Sequence, residues 1–147
     1  MLVALKFLAI LTASVFAGAA LYVSLVEHPA RMTLDTKAAA MVWVPSYARG
    51  TLMQAPLALI SLLTGLGAWL LGADVAWAVA ALLVGAVVPF TFVAIMPTNT
   101  ALGAAGRDLA SVETRALLVR WGRLHAVRTV LSLAATLLYL CLALRRD

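Results

Sequence analysis

TLMQAPLALISLLTGLGAWLLGADVAWAVAALLVGAVVPFTFVAIM, residues Thr51 to Met96, decides the architecture. Two long apolar runs, about Thr51–Leu71 and Val75–Met96, flank the short link Gly72-Ala73-Asp74. Each run has the roughly 20 residues that a helix rising about 1.5 Å per residue needs to cross a hydrocarbon core. A link this short sends the second run back antiparallel to the first. The stretch reads as a transmembrane helical hairpin.

Two more spans lie outside it. Upstream, Leu2–Val26 is apolar except for Lys6, whose stem can snorkel to the interface. Its Ala17-Gly18-Ala19-Ala20 segment resembles a signal-peptide cleavage site, but the apolar run continues to Val26, which favours retention as a span. Downstream, Thr129–Leu144 is fully apolar and slightly short, so its helix must begin earlier, around Trp121 to Arg128. With 65% hydrophobic and 12% charged residues among 147, and a mean hydropathy of +1.05, both a soluble domain and a disordered chain are excluded. The single cysteine, Cys141, excludes an internal disulfide framework and a thiolate metal cage, and reads as core filling. Gly65, Gly67 and Gly18 read as points of close helix packing, which also leaves a homodimer open.

The expected fold is therefore all-α: a single-domain, antiparallel, integral membrane four-helix bundle with spans at about 2–26, 51–71, 75–96 and 121–144. Two longer connections, Glu27–Gly50 and Pro97–Arg120, share one membrane face. Leu34–Val44 is expected to form a short interfacial helix with Trp43 and Tyr47 at headgroup depth. The second connection opens with Pro97-Thr98-Asn99 and turns helical by about Asp108. The net charge of +5 and pI near 10.2 do not point to nucleic acid, because the basic residues lie between apolar runs. Arg31, Lys37, Arg49, Arg107, Arg115, Arg120 and Arg123 outnumber Lys6, Arg145 and Arg146 on the other face. That imbalance places both long connections in the cytoplasm. The short Ala/Leu/Arg-rich chain suits a bacterial inner membrane.

Nearly every unusual polar residue falls on the face with the long connections. The first span ends in Glu27-His28-Pro29-Ala30-Arg31, the second begins near Arg49 and Gln54, and the third ends in Met96-Pro97-Thr98-Asn99. The fourth begins with Trp121, His125 and Arg128, spaced i, i+4 and i+7 on one helical stripe. Ionisable groups at membrane depth usually face a bundle interior or a cavity, so this asymmetry points to one polar site open at one end. The plainer alternative is anchoring, with Trp and Arg at the headgroups and His tolerated; Arg120 and Arg123 are the better anchors. Pro29 is expected to end the first helix at His28. Glu27 is either a solvated terminus or a partner of Arg31, Arg49 or Arg128. Asn99 is either a cap or turn residue or a donor to a ligand oxygen. Glu27, His28 and His125 match a two-histidine, one-carboxylate set for a single non-haem iron or copper, a weaker alternative to a metal-free site. Adjacent helical residues such as Glu27 and His28 share one metal only where the helix breaks.

At these residues the sequence resembles the anthrone-oxygenase-like small membrane proteins, long catalogued as a domain of unknown function. The resemblance rests on Pro89-Phe90-Thr91 leading to Met96-Pro97-Thr98-Asn99, and on Arg120-Trp121-Gly122-Arg123-Leu124-His125-Ala126-Val127-Arg128. Glu27-His28-Pro29-Ala30-Arg31 fits more loosely, and with the four spans the likeness covers essentially the whole chain. It implies oxidation of a polyketide-derived anthrone by dioxygen as co-substrate, without flavin or haem. The chemistry permits this, because a deprotonated anthrone is electron-rich enough to reduce dioxygen directly.

The protein must then supply a base, an oxyanion stabiliser and an apolar cavity. His125 is the expected base, Arg128 and Asn99 the stabilisers, and Trp121 the stacking platform for the hydrophobic substrate. Arg31 and Gln54 complete the binding set, and Glu27 is expected to orient His125 or neutralise Arg128. The alternative class is a non-catalytic membrane protein that binds, or helps transport, a lipid or hydrophobic metabolite with the same pocket. Against transport, no span carries a central charge for ion coupling and no broken-helix pair is evident.

Overall fold

In the computed structural model, which describes residues 1–145, four helices are long and apolar enough to cross a membrane: α1 (Leu2–Arg31), α2 (Thr36–Leu70), α3 (Val75–Leu102) and α4 (Val112–Leu144). This is a multi-pass membrane protein. Arg146, counted above among the opposite-face cations, lies outside the described residues. Each helix packs on its neighbours in sequence, and α4 closes the ring against α1, giving an up-down-up-down bundle with α2 and α4 on a diagonal.

The α2–α3 link is as expected. Gly72 takes φ +95°, which only a residue without a Cβ adopts easily, and Asp74 Oδ1 caps α3 by accepting from the Ala76 N–H at 2.7 Å. At this end the core is tight: Ala9, Ala13, Ala68, Ala80 and Ala81 surround Trp77 and Tyr139. Gly65 is one reason, since a Cβ there would run into the Tyr139 hydroxyl and lie 2.8 Å from Ala81 Cβ. Gly67 stands at ordinary contact distance from Leu5, and Gly18 has nothing within 4 Å, so the expected close packing fails at Gly18. Cys141 is exposed rather than core filling.

At the opposite end, the mouth, all four helices run past the boundaries expected from hydropathy. Pro29 does not stop α1. A π turn over Val23–Glu27 precedes it, the His28 N–H reaches the Val23 carbonyl, and the helix continues to Arg31. The same device recurs in α3, where a π turn over Thr91–Ile95 precedes Pro97 and the Met96 N–H reaches the Thr91 carbonyl. A proline ring collides with the carbonyl four residues back in a regular helix. One widened turn ahead of it opens the backbone and lets the helix go on.

The expected interfacial helix Leu34–Val44 is instead the first part of α2, capped by Asp35, whose carboxylate accepts from the Ala38 N–H at 2.9 Å. Pro45 and Pro56 lie inside α2 on its exposed side. Helix α4 starts at Val112, where the Ser111 hydroxyl accepts from the Thr114 N–H at 3.2 Å, so Trp121 sits well inside it. The long connections thus shrink to the few residues between α1 and α2 and between α3 and α4. Arg115 ties the first to α4 by donating to the carbonyls of Met32 (2.5 Å) and Leu34 (3.0 Å). At about 1.5 Å per residue, α2 and α4 are each roughly 50 Å long against a core of ~30 Å. The helices are therefore longer than a span needs, and the excess over the hydropathy boundaries falls largely at the mouth.

Candidate active site

The stripe on α4 faces inward. Trp121 and His125 are buried and their rings stack at 4.9 Å between centroids. Trp121 also meets His28 of α1 at 5.3 Å in a tilted arrangement, and Trp43 of α2 packs edge-on at 6.1 Å. His28 gets this close because the residue after Trp121 is Gly122: a Cβ there would overlap the His28 ring, with Cδ2 at 2.6 Å. The glycine of the Trp-Gly-Arg-Leu-His segment thus makes room for a histidine on another helix.

One to two turns further along α4, the guanidinium of Arg128 lies over the Phe16 ring at 5.5 Å. Its Nη2 donates to Gln54 Oε1 at 2.9 Å, and Gln54 is itself buried. His125 Nδ1 lies 3.1 Å from the Ser24 hydroxyl, which lies 2.8 Å from the Thr129 hydroxyl. Glu27 holds neither His125 nor Arg128. It forms an ion pair with Arg31, one turn on in α1, and accepts from the Ser46 hydroxyl of α2, to which Arg31 also donates at 3.0 Å. Arg31 is almost fully buried and lies over the Trp121 ring at 5.8 Å, so its charge is held structurally rather than offered to the cavity.

Two cavities meet at this point. The first, about 30 Å³, is lined by several polar side chains, Glu27, Ser46, Gln54, His125 and Arg128, together with Trp121 and others. The second, about 110 Å³, is largely apolar and includes Phe16, Ala55, Ala58, Val87, Phe92 and Met96. Tyr47, Thr51, Gln54 and Arg128 line both. Helices α2 and α3 pack closely near their link and much less closely near Val87–Phe90. Exposed Ala55 and Phe92 border the second cavity, which therefore opens sideways toward the lipid phase. Its volume is somewhat below the ~150 Å³ that holds a benzene ring.

Of the residues expected from sequence, His125, Arg128, Trp121, Gln54 and Glu27 converge on the polar cavity, and Arg31 stands behind Glu27. Asn99 does not join them. It is neither a cap nor a turn residue but a buried position inside α3, lining neither cavity, and its amide has no hydrogen-bond partner among the described residues. The proposed metal set also fails to assemble: among the described residues no three His, Cys, Asp or Glu side chains could hold an ion together. Glu27 is bound to Arg31 and Ser46, while His28 faces Trp121. Ser24, Ser46, Thr51 and Thr129 were missed, and Tyr47 was read only as an interfacial aromatic. Thr129 follows His125 by one helical turn and Ser24 precedes His28 by one, which is the signal that could have found them.

The fold and site define a four-span membrane bundle with a polar, histidine- and arginine-containing mouth next to an apolar chamber. The family model for anthrone oxygenase matches residues 43–138. Anthrone oxygenase tpcL of Aspergillus fumigatus is 33% identical over 147 residues, covering 93% of this chain and 91% of the fungal one. An anthrone oxygenase of Claviceps purpurea is 36% identical over 61 residues, covering 36% of this chain and 35% of that protein. No solved structure matches. The chain belongs to the anthrone oxygenase family.

Proposed function

We propose that the protein oxidises a planar, hydrophobic, anthrone-like polyketide to the quinone with dioxygen, using its own side chains and no organic cofactor or metal. The observation that carries the reading is the shared wall: His125 and Arg128 face one small polar cavity, and Arg128 with Gln54 also faces the apolar one.

An anthrone partitions into the bilayer and reaches the cavity between α2 and α3. The apolar chamber is smaller than a cavity that holds a whole benzene ring, so only the edge of a terminal ring enters and the rest of the tricycle lies along Ala55 and Phe92. Its carbonyl is then directed at the Arg128–Gln54 pair. His125 takes a proton from the benzylic CH2, and the negative charge moves onto the carbonyl oxygen, where the guanidinium stabilises it. The carbanion reduces dioxygen and forms a C–O bond, giving a peroxide anion at that carbon. Loss of the second benzylic hydrogen and cleavage of the O–O bond give a second carbonyl and one water, with His125 returning its proton to the departing oxygen. Anthrone plus dioxygen thus becomes quinone plus water.

In orientation, the long connections are cytoplasmic, in a bacterial inner membrane. Lys37, Arg49, Arg120 and Arg123 stay exposed at the mouth after Arg31 and Arg115 have been drawn into internal bonds. The bacterial assignment stands on composition, while the relatives above are fungal.

The test is turnover of an anthrone in membranes, following quinone absorbance and oxygen uptake together. One dioxygen per quinone is expected, unaffected by dialysis against a chelator and strongly reduced in both His125→Ala and Arg128→Ala. Full activity in both variants removes them from the mechanism. An acyl lipid retained in the cavity, with no oxygen uptake on any anthrone tested, assigns the site to binding instead.

A further inference from the structure

We propose that Ser24 and Thr129 are positioning residues for His125: with the Ala20 carbonyl they form a directed relay that holds the imidazole proton on Nδ1 and leaves Nε2 as the bare acceptor. The proposal rests on the reading of His125 as the base.

The direction follows from counting protons. A backbone carbonyl only accepts, so the Thr129 hydroxyl, 3.1 Å from the Ala20 oxygen, donates there. Its oxygen is then the acceptor for Ser24 at 2.8 Å. A serine hydroxyl has one proton, and with that proton committed to Thr129 its oxygen accepts from His125 Nδ1–H at 3.1 Å. A neutral imidazole carries one N–H, so Nε2 has none. The opposite order, Thr129 to Ser24 to Nδ1, gives up the bond to Ala20 and puts the proton on Nε2, where it cannot take one from a substrate. Only the first order satisfies all three contacts.

Burial protects the arrangement, since both Thr129 and His125 are buried and little water competes. Ser24 lies in the π turn of α1, one of two π turns among the described residues. The carboxylate that sequence reasoning assigned to this orienting task, Glu27, is engaged with Arg31 and Ser46.

The chain has two histidines, so ¹⁵N-imidazole NMR of the full-length protein in nanodiscs resolves them, with His125 assigned by its loss in His125→Gln. At about pH 8, above the ordinary histidine range, the neutral Nδ1–H form is expected for His125. Ser24→Ala and Thr129→Val should both remove that preference, and Thr129→Ser, which keeps the hydroxyl, should retain it. In parallel, kcat should fall ~10-fold or more in Ser24→Ala with KM within about twofold, because the base is misprotonated while the binding walls are intact. A wild-type His125 protonated on Nε2, or an Nδ1–H form unmoved by both Ser24→Ala and Thr129→Val, overturns the relay. A tautomer that moves with kcat untouched overturns the positioning role. The expected tautomer shifts in a protein that turns over no anthrone would uphold the relay and refute the oxygenase reading.

Discussion

Arg128 Nη2 donates to Gln54 Oε1 at 2.9 Å, joining the two diagonal helices α2 and α4 across the bundle at the boundary between the polar and apolar cavities. An arginine placed there puts a delocalised cation with a planar fork where an oxyanion would form. Arg128→Ala should lower kcat by ~10²–10³, the usual loss for one oxyanion donor, and Arg128→Lys should recover only part of it because the fork is gone. Gln54→Leu, which removes the guanidinium's partner but not its charge, should be milder than Arg128→Ala. Steady-state kinetics on purified protein in nanodiscs checks the order; Gln54→Leu as damaging as Arg128→Ala would contradict it.

Ala55 is exposed on α2 at the side opening of the apolar cavity. A tryptophan there meets lipid rather than core, so Ala55→Trp should fold normally while closing the route between α2 and α3. The expected result is an unchanged thermal midpoint in detergent with kcat/KM for an anthrone reduced ~10-fold or more by steric blockage of the pocket. Unchanged kcat/KM would mean that substrate arrives by another path.

Gly122 and His28 form a packing pair, and their substitutions should be strongly non-additive. Gly122→Ala forces a methyl into the His28 ring and should destabilise by about 1–3 kcal/mol, the usual range for overpacking. In the His28→Ala background the ring is absent, so most of that penalty should disappear and leave a coupling energy on the order of 1–2 kcal/mol. Unfolding of the four variants in mixed micelles measures the cycle. Additive effects would show that the ring and the glycine do not meet.

The Glu27–Arg31 pair is unevenly buried, with Arg31 at 2% side-chain exposure and Glu27 at 26%. Glu27→Gln leaves a nearly buried guanidinium without a counter-charge and should cost about 3 kcal/mol. Replacing both by Gln and Met should restore much of the loss, because the stranded charge is gone. Thermal denaturation of the single and double variants distinguishes a structural ion pair from a solvated terminus, for which Glu27→Gln would be silent.

Span number, the tight α2–α3 link and the single polar stripe of α4, though not its inward orientation, were legible in the sequence because they are local: hydropathy runs, a glycine with an aspartate cap, and i, i+4, i+7 spacing. The ends of α1 and α3 were not. Pro29 and Pro97 signal a helix stop, and the proline rule is correct for regular α geometry. A single π turn before each proline removes the clash the rule depends on, and nothing in the one-dimensional pattern announces it. The start of α2 was missed for a related reason. Its first 15 residues are too mixed to read as a span, yet they pack on the extended ends of α1 and α4, Trp43 on Trp121 and Ser46 on Glu27 and Arg31.

The sequence alone determined a greasy four-helix bundle with its ionisable residues collected at one end, because the cost of unpaired charge in hydrocarbon sorts residues by depth whatever the packing. Tertiary structure alone decided who meets whom at that end. Glu27 goes to Arg31 and Ser46, His125 goes to Ser24, Arg128 goes to Gln54, and Asn99 is set apart from both cavities. Depth is a property of one residue on one helix. Partnership depends on the rotation and spacing of several helices against each other, which small contacts such as Gly122 against His28 help to set.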